Sequence, residues 1–176
     1  MNCSLDQDTI EATIGFHGHT CPGLAIGIRA AELAMEKLDI HKTANTICVT
    51  ETDMCGVDAI QFLTGCSFGK GNLVHRDYGK SAFTFFNRDT GKGFRALFKD
   101  MGRGLDREER IQQLMDADLD DLFDLQDIEA PPVRPARILK SIACDQCGEM
   151  TMESRIRLFD GKQFCFPCFG KVEQKI

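Results

Sequence analysis

The hydrophobic positions of the chain change period several times. Leu24, Ile28, Ala31, Met35 and Leu38 recur at three- and four-residue steps, which predicts a helix over 22–38. Pro22 suits its first turn, where a missing N–H costs nothing. A shorter helical pattern runs over 6–15, and another over 57–64. β-branched and apolar runs predict strands over 46–50 and 72–76. Residues 81–87 and 93–99 read as a hairpin around Asp89-Thr90-Gly91. Residues 106–125 read as helical, with room for a break inside. The pattern as a whole predicts an α+β fold, a mixed sheet flanked by helices, with enough residues to bury a true interior.

Composition adds a boundary. Residues 1–133 hold 13 Lys+Arg against 22 Asp+Glu, net −9, while residues 134–176 hold 8 against 5, net +3. Between them lies Ala130-Pro131-Pro132-Val133-Arg134-Pro135, whose prolines favour an extended connector. The expected organisation is a core domain over 1–130, a proline-rich linker over 131–140 and a small module over 141–176. The net charge of −6 argues against a general polyanion binder. No apolar run reaches the roughly 20 residues that cross a bilayer. The opening Met1-Asn2-Cys3-Ser4 shows neither the basic nor the apolar region of a signal peptide, so a cytoplasmic location is expected.

Nine cysteines are an odd number, so they cannot all pair internally, and metal or thiol chemistry is the better reading. Cys144-x2-Cys147 and Cys165-x2-Cys168 have the spacing of a four-thiolate zinc site. Each pair supplies two sulfurs from one turn, and residues 155–164 read as a hairpin between them. Four thiolates fill a tetrahedron, so this zinc folds a ribbon or treble-clef module and does not catalyse.

Phe16-His17-Gly18-His19-Thr20-Cys21-Pro22-Gly23 is the second constellation. If the peptide is extended, His17, His19 and Cys21 share one face. Cys21 then starts the helix at Pro22. Glu51-Thr52-Asp53-Met54-Cys55-Gly56 repeats the arrangement before the next helix, a common binding position at strand ends. A shared metal or thiol site of His17, His19, Cys21 and Cys55 is expected, with Asp53 or Glu51 as general base. The alternative is that the histidines are loop residues and the cysteines cap and pack. Cys48 and Cys66 read as packing, Cys3 as a terminal thiol, Lys80 as a solvated cation, His41 as a loop residue and His75 as structural or cleft-facing. Gly65-x3-Gly69-Lys70 is one residue too short for a P-loop. Asp116, Asp118 and Asp120 fit an acidic helical face better than a calcium loop.

The motifs resemble a known family. Phe16-His17-Gly18-His19, Cys21-Pro22-Gly23 and Gly27-Ile28-Arg29 look like the opening of the E-subunit family of formylmethanofuran dehydrogenase. Cys55 with Asp58-Ala59-Ile60-Gln61, Thr64-Gly65-Cys66 and Gly71-Asn72-Leu73 resembles its second block, and Gly79-Lys80 with Ala82-Phe83 its third. The tail resembles zinc fingers of the DksA/TraR kind. The resemblance implies an α+β core, a homodimer, and a metal site at His17, His19, Cys21 and Cys55, with Asp53 and Cys66 in secondary places. It assigns Cys21, Cys55 and Asp53 as the catalytic candidates. Besides the tail zinc, a second metal (zinc, nickel or iron) is expected in the core, since mixed nitrogen and sulfur ligands suit all three. The expected role is oxidoreductase-associated, in one-carbon, formyl or related redox metabolism, with a small-molecule substrate or a protein partner. The alternative is a non-catalytic accessory, metal carrier or regulator that docks a partner through the zinc module. Nucleic acid is disfavoured, because few aromatics interleave with the tail cations.

Overall fold

The computed structural model describes residues 2–134 and 137–172. The chain divides into two compact units, Met1–Ala136 and Arg137–Ile176. No helix among the described residues is long and apolar enough to cross a membrane.

The first unit is built on helices α1 (Gln7–His17), α2 (Pro22–Leu38) and α3 (Gly56–Thr64) and strands β1 (Thr46–Thr50), β2 (Leu73–His75), β3 (Ala82–Asn87) and β4 (Lys92–Phe98). Helix α4 (Arg107–Asp116), the single turn α5 (Leu119–Leu122) and strand β5 (Phe123–Ile128) complete it. The sheet order is β2-β1-β3-β4-β5. Strands β1 and β2 are parallel, bridged by α3, and every other pairing is antiparallel. This is the expected mixed sheet: a parallel pair needs a crossover, while β3 and β4 close through a short turn.

Twelve of the seventeen residues of α2 are buried, which makes it the central helix. It packs on α1, α3 and α4 and lies against β3 and β4. Cys48, Phe83, Phe85, Phe94, Ala96 and Phe98 share one hydrophobic cluster with it. Strand side chains alternate, so Ile47 and Val49 are buried on the opposite face of the sheet. Residues 131–134 of the linker are tied to this unit. Arg76 and Arg88 donate to the carbonyls of Pro132 (3.0 Å) and Val133 (3.1 Å).

Two expectations change here. The first helix extends to His17, two residues beyond the sequence pattern. Asp6 caps its start by accepting from the Thr9 N–H, and Gly18 ends it at φ 92°. The helix expected over 106–125 is α4, then α5, then a strand. The buried guanidinium of Arg29 donates to the carbonyls of Met115 (3.0 Å) and Ala117 (2.7 Å), satisfying the end of α4 from outside. Residues 123–128 then pair with β4, and Phe123 meets Phe98 with ring centroids 6.1 Å apart. Sheet completion overrides a leucine- and aspartate-rich stretch whose local preference is helical.

The second unit has a hairpin of β6 (Ser141–Ala143) and β7 (Met150–Met152), a 3-10 turn over Glu153–Arg155, and a hairpin of β8 (Ile156–Phe159) and β9 (Lys162–Cys165). The short helix α6 (Phe166–Phe169) is its last element among the described residues. Asp160 and Gly161 both have positive φ, the requirement of a tight two-residue hairpin turn.

Candidate metal centres

The first centre forms where three helix ends meet. Helix α1 stops at His17, because Gly18 takes the left-handed conformation and returns its N–H to the Ile14 carbonyl at 2.7 Å. Only His19 and Thr20 separate Gly18 from Cys21, the N-cap of α2. Cys21 Sγ accepts the Leu24 N–H at 3.3 Å. Cys55 stands at the N-cap of α3. The extended reading of residues 17–21 is therefore replaced. His17, His19 and Cys21 converge through a helix end, a glycine turn and a helix start, not through strand alternation.

Cys55 reaches them because α2 and α3 cross backbone to backbone. A Cβ on Gly27 would lie 2.2 Å from the Gly56 carbonyl oxygen, and one on Gly56 would lie 2.9 Å from the Gly23 carbonyl oxygen. Only residues without side chains allow this approach. The crossing lies close to the start of each helix, so it holds the two capping sulfurs together.

Ligand atoms of His17, His19, Cys21 and Cys55 all lie within 4.8 Å of one another. Cys21 Sγ is 3.9 Å from His17 Nε2. In a tetrahedral zinc site, bonds of about 2.0–2.3 Å put ligand atoms about 3.3–3.8 Å apart, so a small contraction around an ion completes the site. The donor set is two imidazoles and two thiols, which suits zinc, iron or nickel.

The four ligands are not equally held. His17 Nδ1 donates to Asp58 Oδ2 at 2.7 Å, and its side chain is 9% exposed. That contact fixes the ring and turns Nε2 toward the sulfurs, the usual arrangement of a carboxylate behind a metal-bound histidine. Cys21 and Cys55 are half-buried at helix starts. His19 is exposed; its ring packs on His17 with centroids 4.5 Å apart, and among the described residues no hydrogen bond anchors it. Burial, then the neighbouring Cys21 as hydrogen-bond partner and charge, pushes the Cys55 thiol above its ordinary value. Two sulfurs this close cannot both carry charge without a cation between them.

The other candidates lie elsewhere. Asp53 is exposed and outside the four-ligand group. Glu51 is buried and held by Arg95 through two hydrogen bonds of 2.6 and 2.8 Å. That pairing keeps its carboxyl below the usual range and occupies the oxygens a general base would need. Cys66 and Cys48 are fully buried, and burial pushes both thiols up. Cys66 lies against the Thr46 carbonyl, away from the cluster. Cys3 is a free thiol near the N-terminus, but it is buried, and burial raises it to about 11. His75 is half-buried, with Nε2 unpartnered among the described residues, and His41 bonds Thr43 on the surface. Lys80 is exposed. Asp116 ends α4 and Asp118 starts α5, as an acidic helical surface.

Asp58, Gly27 and Arg107 did not stand out in the sequence as parts of the site. Asp58 stands three residues after Cys55, a spacing that puts both on one side of α3, and that was the available signal. Arg107, at the start of α4, donates to the Thr20 carbonyl in the ligand loop. No local pattern marks that contact.

The second centre is in the tail. Cys144, Cys147, Cys165 and Cys168 bring their sulfurs within 4.8 Å of one another, with Cys147 and Cys165 at 3.9 Å. Gly148, at φ 75°, donates to the Cys144 carbonyl at 2.8 Å and closes the first knuckle. Cys165 N–H points at Cys144 Sγ at 3.4 Å. Hydrogen bonds from the backbone N–H groups of Cys147 and Cys165 pull Cys144 down to about 6. Cys168, hydrogen-bonded first to Cys165, is pushed up to about 12. The cluster thus holds thiolate readily at one position and resists it at another until a cation arrives. Among the described residues the buried core here is Cys144, Phe164, Cys165 and Cys168, backed by Phe169 and Val172. So small an interior needs metal to hold it.

Residues 16–136 match the family model described as FmdE, molybdenum formylmethanofuran dehydrogenase operon. Residues 137–174 match the prokaryotic dksA/traR C4-type zinc finger, so the tail is a zinc-binding module. A probable S-adenosyl-L-methionine-binding protein of Archaeoglobus fulgidus is 30% identical over 88% of this chain and 50% of its own length. The chain therefore spans about half of that relative. The crystal structure of an FmdE-like protein of the tungsten formylmethanofuran dehydrogenase type, from Syntrophus aciditrophicus, superposes with a TM-score of 0.72. It is 25% identical, covering 96% of this chain and 94% of that one.

Proposed function

We propose, from the premise that this chain belongs to the FmdE family, that its core centre binds a transition metal with one exchangeable position. The observation that supports this reading is the unequal anchoring of the ligands. Asp58 braces His17, and helix starts hold Cys21 and Cys55, but His19 sits exposed on a short loop without an anchor among the described residues. Catalytic sites retain three firm protein ligands and one open or replaceable position, whereas structural sites are closed. The tail, with four thiols from two knuckles and a helix, has the closed kind.

The metal, when bound, supplies Lewis-acid polarisation of a coordinated ligand. The chain's own residues do the rest. Asp58 holds the His17 proton on Nδ1, and Cys21 and Cys55 supply charge to the ion. His19, exposed on its short loop, would be the replaceable ligand. Glu51, with both carboxyl oxygens engaged by Arg95, is not free to move a proton at the centre. We place the protein in formyl or related redox metabolism, as the family description suggests, with two copies associating. Exposed Phe16 (56%) and Met54 (65%), each next to a ligand, support that pairing.

The test is metal stoichiometry and coordination in the purified protein. Two metals per chain are expected, falling to one in either Cys21→Ser or Cys144→Ser. His19→Ala should keep the core metal, with weaker affinity and a solvent ligand detected by X-ray absorption. Loss of no metal in Cys21→Ser would sink the reading.

A further inference from the structure

We infer that the apolar crevice beside Cys21 holds the hydrocarbon body of a small ligand whose donor atom takes the exchangeable position of the core centre. This rests on the metal-binding reading above. The crevice has a volume of about 170 Å³ and lies between α1, α2 and α4. Its walls are Ile10 and Ile14, then Leu24 and Ile28, then Ile111 and Met115. Cys21 belongs both to this wall and to the metal-ligand group.

The lining selects the occupant. No charged side chain among the described residues lines the crevice, so a charged body would lose its hydration there without a partner. The volume is close to that of an apolar cavity of about 150 Å³ that takes benzene. A neutral body of about six non-hydrogen atoms therefore fits, and a nucleoside does not. Apart from Cys21, the polar side chains of the lining are Gln7, Thr20 and Gln112. Thr20 is also the residue between His19 and Cys21, so the ligand loop forms one lip. Arg107 ties that lip to α4 through the Thr20 carbonyl. A donor arriving at the metal and a body entering the crevice thus meet the same short segment.

The larger cavities do not compete. Those of about 530, 500, 430 and 580 Å³ are each lined by charged residues, such as Lys70 and Arg88, Lys37 and Asp127, Glu32 and Asp118, or Glu109 and Asp116. None includes a core metal ligand.

Cobalt(II) loaded into the full chain provides the test, because cobalt–thiolate absorption reports an arriving probe thiol. Ethanethiol and cyclopentanethiol carry the same donor and differ in body. Cyclopentanethiol is expected to bind roughly tenfold or more tightly, from the apolar area it buries. Ala25 also lines the crevice, and Ala25→Leu fills it while leaving all four ligand residues in place, so it should abolish that preference with cobalt stoichiometry unchanged. Equal affinity for the two thiols in the wild type overturns the inference. A second measurement covers an Ala25→Leu chain that fails to fold. Benzene added to the metal-free wild type should shift the methyl NMR signals of Ile10, Ile28 and Ile111, and unshifted signals overturn the crevice assignment. If cobalt does not occupy the core at all, the metal reading fails. The benzene result then decides the crevice separately.

Discussion

Asp58 Oδ2 lies 2.7 Å from His17 Nδ1, and this contact ties α3 to the ligand at the end of α1. It sets which imidazole nitrogen faces the sulfurs. Removing the carboxylate frees the ring to rotate and weakens its donor strength. Asp58→Ala is therefore expected to lower core metal affinity about 10–100-fold. Asp58→Asn should fall between, because its amide oxygen can still accept the Nδ1 proton. Competition with a chelator of known affinity measures both. The tail zinc is expected to be unaffected and serves as the internal reference.

The glycine crossing gives a steric prediction. In Gly27→Ala the new methyl meets Gly56 backbone atoms at 2.2 and 2.4 Å, so the helices must separate. Overpacking of this kind costs about 1–3 kcal/mol or more. It also draws Cys21 away from Cys55. We expect a lower unfolding midpoint and loss of the core metal. Gly15→Ala is the control. It lies inside α1 with nothing within 4 Å of the added Cβ, and should stabilise by about 0.5–1 kcal/mol. A Gly27→Ala protein with full core metal and wild-type stability contradicts the crossing as the device that sets the site.

How much of this could be read in the chain follows from where each signal resides. The helix over 22–38 and the strand over 46–50 were legible because apolar periodicity and a starting proline act locally. The four ligands were legible as residue types and as an expected shared site, and the device that brings them together was not. It depends on Gly27 meeting Gly56, a contact between two helices that leaves no periodic trace. Strand β5 reads as helix in the sequence because Phe123 and its neighbours gain their conformation from pairing with β4. Glu51 looks like a base by position, but its partner Arg95 lies 44 residues away in another strand. The tail was read most fully, since knuckle spacing is itself the geometry a tetrahedral ion requires.

Glu51 and Arg95 predict a pH dependence. The Arg95 hydrogen bonds hold the Glu51 carboxyl below its ordinary value, more than burial raises it. A lowered folded value means the pair's stabilisation is present above the unfolded carboxyl value of about 4.3. It is lost as pH falls through the folded one. Glu51→Gln leaves a largely buried guanidinium poorly matched, which costs about 1–3 kcal/mol at pH 7. The difference between wild type and variant should shrink below about pH 4. Urea midpoints at about pH 7 and about pH 3.5, above and below the unfolded carboxyl value, measure it. A gap that widens in acid contradicts the pairing.

Chelation separates the two centres by what each metal supports. The first unit buries α2 and a five-stranded sheet, so its fold does not depend on the core ion. Among its described residues the tail buries four, three of them cysteines, so zinc is most of its folding energy. With zinc removed, Cys144 and its neighbours lose the cation that lets all four sulfurs ionise together. A strong chelator at neutral pH should therefore raise hydrogen exchange at the Gly148 and Cys165 amides, which bond Cys144 in the closed form. Amides of β3, buried along its whole length, should stay protected. Acid should act as chelator does. Protons compete with zinc for the four thiolates, so falling pH displaces it. Protection of Gly148 and Cys165 that survives complete zinc removal would show that the tail folds by packing alone, against the size of its interior.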